Sequence, residues 1–431
     1  MRLYIDPGTG SMLFSLLAGL FGAGAWAARG LYMKWRVRAR GGGTPGEDTP
    51  LVIYSDDRRY WNVFGPICDE LERRGIPTRY LTSSPDDPGL ARPYAHIRAA
   101  YIGRDEEAFA TLNGLKARVL LATTPGLDVY QWKRSKDIPY YVHVPHAPGD
   151  ITRYRMYGID WFDAILLSGE YQIHQVRELE RIRGLPPKEL RLVGIGYLDA
   201  MRARLEREGR AASDGTLTVM MAPSWGKSGI LSRYGERAIR ALLDTGSRVI
   251  IRPHPQSWQS EADLLARLEA AFPASEKLEW NRDSDNFDAL RRTDVLISDF
   301  SGIIFDAALV FDLPVIYADT SFDPGPYDAW SLDEELWTFR TLPKIGRPLR
   351  EEDLEGEKLK QALAEAAVDP ESRAARRQAR LETWMYPGEA AVRTVDFLEE
   401  KLGESGTMKA GETRMEIHPR FPGHGIGVEE E

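Results

Sequence analysis

The chain has 431 residues, a net charge of −9, 43% hydrophobic and 28% charged residues, and one cysteine. That length holds two domains with a large core, and the composition is that of a globular protein. The acidic balance excludes bulk attraction to nucleic acid, so none is expected as a partner, and the single Cys68 excludes an internal disulfide or a multi-cysteine zinc site.

Met12 to Ala28 carries no charge and is rich in Leu, Phe, Ala and Gly. This is near the lower limit of ~17 residues for a spanning helix, which snorkelling by Arg29 would extend. A cleaved signal peptide is the other reading, but only Arg2 precedes the apolar run, whereas Lys34, Arg36, Arg38 and Arg40 follow it. The positive-inside rule then makes residues 1–40 a single-pass anchor in the cell membrane with the rest of the chain cytoplasmic. Residues 41–50, GGGTPGEDTP, read as a flexible linker.

From Leu51 the chain alternates apolar strands with helical spacings. Strands are expected at 51–55, 78–81, 97–102, 119–122, 140–144 and 164–167, with helices at 61–73, 106–112 and 171–182. Val193 to Asp199 reads as a further strand with a glycine turn, and the charged stretch 206–215 as an interdomain connection. The second half repeats the alternation, with strands at 217–221, 248–251, 295–297 and 315–317. Such alternation predicts parallel sheets covered on both faces, whose chemistry sits in the loops after the strands. A long helical region with a break at Pro387-Gly388 follows Pro370, and 403–431 reads as a disordered tail that includes His418 and His424.

Four of those loops are chemically pointed. In HVPHAPGD, His146 follows a strand where a group titrating near neutrality can serve as a general base; an incidental loop histidine is the other reading. His143 should lie within the strand and reads as structural, and a metal on the histidine pair would have only Asp150 nearby. Ser224 and Trp225 follow the strand at 217–221. Arg252-Pro253-His254-Pro255 puts a guanidinium and an imidazole at one strand end, a pairing suited to phosphate or pyrophosphate. In Ser298-Asp299-Phe300-Ser301-Gly302, Ser301 is a good N-cap for a helix over 303–311, and Gly302 would let an anion approach the helix start.

Ala222-Pro223-Ser224-Trp225, Arg252-Pro253-His254-Pro255, Ser298 to Asp306 and Leu313-Pro314-Val315-Ile316-Tyr317, in this order and spacing, resemble the CDP-glycerol glycerophosphotransferase family of teichoic-acid primases and polymerases. The His146 segment is similar to that family's first-domain histidine loop. The resemblance implies an α/β, GT-B-like architecture, two Rossmann-like domains with an interdomain cleft: an acceptor-side domain over 51–205 and a nucleotide-donor domain over 216–402. It implies no cofactor. The substrate would be a nucleotide-diphosphate donor, CDP-glycerol, and the acceptor a lipid-linked or polymer hydroxyl at the bilayer. Carried over by position, His146 is the base and Arg252, His254, Ser301 and Gly302 hold the pyrophosphate. Ser224 and Asp299 join them on the donor side, and Asp306 meets the ribose. Gly226 and Ala147 stand where the family has other residues. A UDP-sugar glycosyltransferase or epimerase of the same fold is the alternative, and a catalytically degenerate binding or assembly protein a second.

Overall fold

The computed structural model describes residues 49–283, 285–318 and 322–404. The expected anchor, nearly all of the linker and the tail from residue 405 lie outside the described residues. Among the described residues no helix is long and apolar enough to cross a membrane.

The first sheet holds β1 (Leu51–Ser55), β2 (Thr78–Thr82), β3 (Ile97–Tyr101), β4 (Val119–Ala122), β5 (Tyr140–His143), β6 (Ala164–Leu167) and β7 (Glu189–Leu192), ordered β3-β2-β1-β4-β5-β6-β7. The second holds β8 (Thr218–Met221), β9 (Arg248–Ile251), β10 (Leu278–Trp280), β11 (Val295–Ser298), β12 (Val315–Ala318) and β13 (Gly346–Leu349), ordered β10-β9-β8-β11-β12-β13. Every strand pair is parallel. The central strands are buried throughout, as a sheet covered on both faces requires. Alternate residues serve opposite cores: Leu51 and Ile53 enter one cluster, Val52 and Tyr54 another, and Met220 and Met221 divide likewise in the second sheet.

Both sheets share one topology, in which the order reverses between β1 and β4 and between β8 and β11. Crevices at such reversals, outside the carboxyl ends of the strands, are where ligands bind in open α/β sheets. The two reversal points face a common cavity of about 590 Å³, lined from one side by Arg59, Tyr60 and His146 and from the other by Ser224, His254 and Ser301.

The expected strand at Val193 to Asp199 is not one. The strand is β7, just before it; Gly194 turns at φ 90°, and a helix runs from Gly196 to Glu208, into the stretch expected to be a connection. Charged residues over 202–208 are that helix's exposed face, with Leu198 packed beneath. The last helix, Ala390–Glu404, does not stay with the second sheet as a 216–402 domain implies. Its Val395, Phe397 and Leu398 complete the core of the first sheet, and Arg74 pairs with Asp396 and Glu399 at the rim of that seam.

Candidate active site in the interdomain cleft

On the first-domain wall, His146 stands in the loop after β5. Its Nδ1 lies 3.1 Å from the Thr123 hydroxyl, which follows β4, and 3.5 Å from the Tyr154 hydroxyl. The ring packs against Tyr60 and Tyr154. Burial, with the charge of Arg59, pulls its pKa down to about 4, so His146 is neutral at pH 7. With Nδ1 engaged, Nε2 is the nitrogen left for the cleft. His143 is fully buried, and its Nε2 meets the other side of the Tyr154 hydroxyl at 3.2 Å. It does not reach the cavity.

Asp150 is no partner for the histidines. Its carboxylate accepts the backbone N–H groups of Trp337 (2.7 Å) and Thr338 (2.9 Å), at the start of a second-domain helix over Trp337–Ile345. A first-domain carboxylate thus satisfies the orphan donors of a second-domain helix, where the dipole favours it.

On the second-domain wall, His254 accepts the Gln256 N–H at Nδ1 (3.1 Å), which places its proton on Nε2. Burial, then Arg59, with Arg153 and Arg252 and against the opposing Glu261, lowers its pKa to about 4. Arg252 donates through Nε to Asn286 (2.9 Å), through Nη1 to Asn281 and through Nη2 to the Asp283 carbonyl (3.0 Å). These leave two of its five N–H donors for a ligand. Asp306 accepts from Tyr197 and from Asn286 (2.8 Å), and burial pushes it up to about 6.

Two expectations change. Ser301 does not cap the helix: the N-terminal residue is Gly302, no side chain caps it, and only the Ser301 carbonyl takes part, accepting from Ile304. Ile303–Phe305 is one α-turn, continued as a π-helix over Asp306–Val310 rather than an α-helix to 311. Such a bulge recurs at functional sites, and here the widened turn includes Asp306. Asp299 is 1% exposed and turned away from the cavity. It accepts from Ser224 N (2.9 Å), Ser224 Oγ (2.6 Å), Ile230 N (3.2 Å) and Phe300 N (2.7 Å). It therefore positions the Ser224 loop against the Ser301 loop. Gly302 has an ordinary φ of −58°, and a Cβ there would meet nothing within 4 Å. Its smallness keeps space open beside the first-turn N–H groups and relieves no strain.

The cavity also holds residues that no motif announced. Arg59 follows β1. Arg153 follows the His146 loop; it stacks its guanidinium over Phe300 and Phe322 and has no carboxylate partner among the described residues. Arginines are scattered through the whole chain, so nothing in spacing distinguishes these. The Tyr197–Asp306 and Arg252–Asn286 contacts join residues far apart in sequence and were equally hidden.

Two parallel doubly wound sheets with one cleft between their switch points define the GT-B class. Within it, residues 199–329 match the model of the family CDP-Glycerol:Poly(glycerophosphate) glycerophosphotransferase, the family that the motifs resemble. The matched segment contains the Ser224, Arg252, His254 and Ser301 loops; His146 lies outside it. Among solved structures, a variant of the wall teichoic acid polymerase TagF soaked with CDPG is 13% identical (TM-score 0.52), covering 84% of this chain and 90% of that one. The MnaA–UDP co-structure from S. aureus is 11% identical (TM-score 0.56; 82% and 97% covered). A putative UDP-N-acetylglucosamine 2-epimerase from Listeria monocytogenes is 14% identical (TM-score 0.54; 83% and 97%). At these identities the likeness speaks for the fold. A search of curated proteins finds no match.

Proposed function

We propose that the protein transfers glycerol phosphate, or a related polyol phosphate, from a CDP-activated donor to the hydroxyl of a membrane-linked acceptor in cell-envelope polymer synthesis. The observation that carries this reading is electrostatic. Arg59 and Arg153 from one domain and Arg252 from the other all bear on His254 inside a single cleft. Guanidiniums gathered from two domains around a neutral imidazole suit a pyrophosphate bridge.

In this reading the acceptor hydroxyl attacks the β-phosphorus and CMP departs. His146 takes the hydroxyl proton at Nε2. His254 donates Nε2–H to the pyrophosphate, and the Arg252 donors neutralise charge that moves onto CMP. Ser224, Ser301 and the Gly302 backbone hold the donor phosphates, and Asp306, steadied by Tyr197 and Asn286, meets the ribose. Asp299 acts through the Ser224 loop. The protein does little covalent work, so positioning and charge neutralisation supply the rate. No cofactor is invoked.

The test is to incubate the full-length protein with lipid extract and either CDP-glycerol or a UDP-sugar. CMP release with a growing acceptor is the expected result. UDP release would favour the glycosyltransferase or epimerase reading, for which the fold likeness to MnaA and to the 2-epimerase speaks. Nucleotide binding without release of either would favour the degenerate binding protein. The same reading places the catalytic domains in the cytoplasm behind a single-pass anchor. The protein should sediment with membranes and resist protease added outside the cell; recovery in the soluble fraction would remove the anchor.

A further inference from the structure

A second cavity, of about 390 Å³, lies away from the cleft. It is bounded by the helix Gly196–Glu208, the end of the π-helical segment at Val310, and the helix Pro370–Thr383. Arg202, Arg377 and Arg380 line it, and Arg373 and Arg376 stand beside Arg377 and Arg380 on the helix Pro370–Thr383. Two carboxylates answer this cluster. Asp312 pairs with Arg376 (2.9 Å) and Arg373 (3.5 Å), and Glu206 with Arg202 (2.6 Å). Arg377 and Arg380 have no side-chain partner among the described residues, and one buried donor of a lining residue, Arg380 Nε, is unsatisfied, as is Arg376 Nη1 behind the lining. Burial and the charges of Arg202, Arg377 and Arg376, against Asp312, make the Arg380 cation less favourable than usual. This excess of positive charge sits in a chain whose net charge is −9.

Leaving a buried guanidinium donor unsatisfied is costly, and crowding like charges adds to the cost. An oxyanion relieves both at once, since guanidinium forks match the geometry of phosphate. We propose that this pocket is a second anion site that takes a phosphate group, either a phosphomonoester or one unit of a phosphodiester chain. The pocket shares two walls with the catalytic cleft. Tyr197 and Met201 face the cleft from the helix that carries Arg202, and Asp306 begins the segment that ends at Val310. A phosphodiester chain long enough to reach both would gain from multivalency, whereas free phosphate would not. The proposal does not depend on the donor assigned to the cleft.

The experiment is calorimetric titration of the full-length protein with inorganic phosphate and, separately, with a synthetic glycerol-phosphate oligomer. Wild type should take two phosphates per chain. Arg377→Ala/Arg380→Ala should take one and still bind CDP-glycerol, and Arg377→Lys/Arg380→Lys should recover the second. Arg252→Ala, in the cleft, should keep the distal site. Oligomer binding at least tenfold tighter than phosphate, lost in the alanine pair, identifies a phosphodiester chain; equal affinities identify free phosphate. A stoichiometry and affinity unchanged in the alanine pair overturns the proposal. A second site that the lysine pair does not restore, or that is lost in Arg252→Ala, does the same.

Discussion

The two cleft histidines differ in what holds them, and this separates their roles. His146 is fixed by Thr123 and Tyr154 on the acceptor wall, and His254 by the Gln256 N–H among arginines. His146→Ala should abolish transfer with donor Kd unchanged, whereas His254→Ala should weaken donor binding and slow transfer. Calorimetric Kd beside single-turnover rates checks both; normal turnover in His146→Ala would remove the base assignment, and buried His143 cannot take it over because it does not reach the cavity. The pH profile carries a further signature. A base must be neutral, and His146 and His254 are both depressed to about 4 from 6.5. The acid limb of kcat/KM should therefore fall near pH 4 and not near 6.5. Stability has the same sign. Between about 4 and 6.5 the unfolded chain binds protons that the folded histidines refuse, so their contribution is whole above 6.5 and lost as pH drops toward 4. Asp306, raised to about 6, opposes this: its contribution is whole at low pH and lost as pH rises through 6. His146 and His254 could be picked out of the sequence because the chain has only seven histidines and these two stand among prolines just after strands. Tyr154, Arg59 and Arg153 could not, since their importance comes from where the sheets bring them.

At the level of elements, the loops after β8, β9 and β11 were legible because each is an abrupt polar stop to an apolar strand. Their internal wiring was not. Ser301 reads as a cap in sequence, but the helix starts one residue later, at Gly302, with no side chain capping it, and the adjacent Asp299 spends its carboxylate on the Phe300, Ser224 and Ile230 N–H groups. Ser301→Ala should therefore leave Tm nearly unchanged and act on donor affinity, by about 0.5–1.5 kcal/mol, the worth of one hydrogen bond. Gly302→Val should fold normally, because open space surrounds it, yet bind donor much more weakly. Unaltered donor Kd in Gly302→Val would refute a phosphate at this turn. Asp299→Ala should instead cost about 1.5–3 kcal/mol of stability, the worth of a hydrogen bond to a charged group, read as a fall in Tm. The strands β10 and β13 escaped notice: both are short edge strands, and β13 carries Pro348, which normally argues against a strand and is tolerated at a sheet edge.

For the whole molecule, the twofold α/β plan followed from the alternation of periods, but the course of the chain between the halves did not. It crosses once after the helix Gly196–Glu208 and returns at Thr383–Ala390. The return passes so close to the first domain that a Cβ at Gly169 would sit 2.2 Å from the Glu382 carbonyl, and one at Gly194 2.3 Å from that of Met385. Asp199, at the head of the outgoing helix, binds the returning segment through Trp384 Nε1 (2.8 Å), Gly388 N (2.7 Å) and Ala390 N (3.1 Å). Asp199→Ala should cost about 1.5–3 kcal/mol, read as a fall in Tm. Two covalent passages pinned side by side behave as the knuckles of a door. They favour a swing of the domains about the line through Asp199 over sliding or swivelling, and the Asp150–Trp337 contact, which lies beside the return at Glu382 and Thr383, braces that same line.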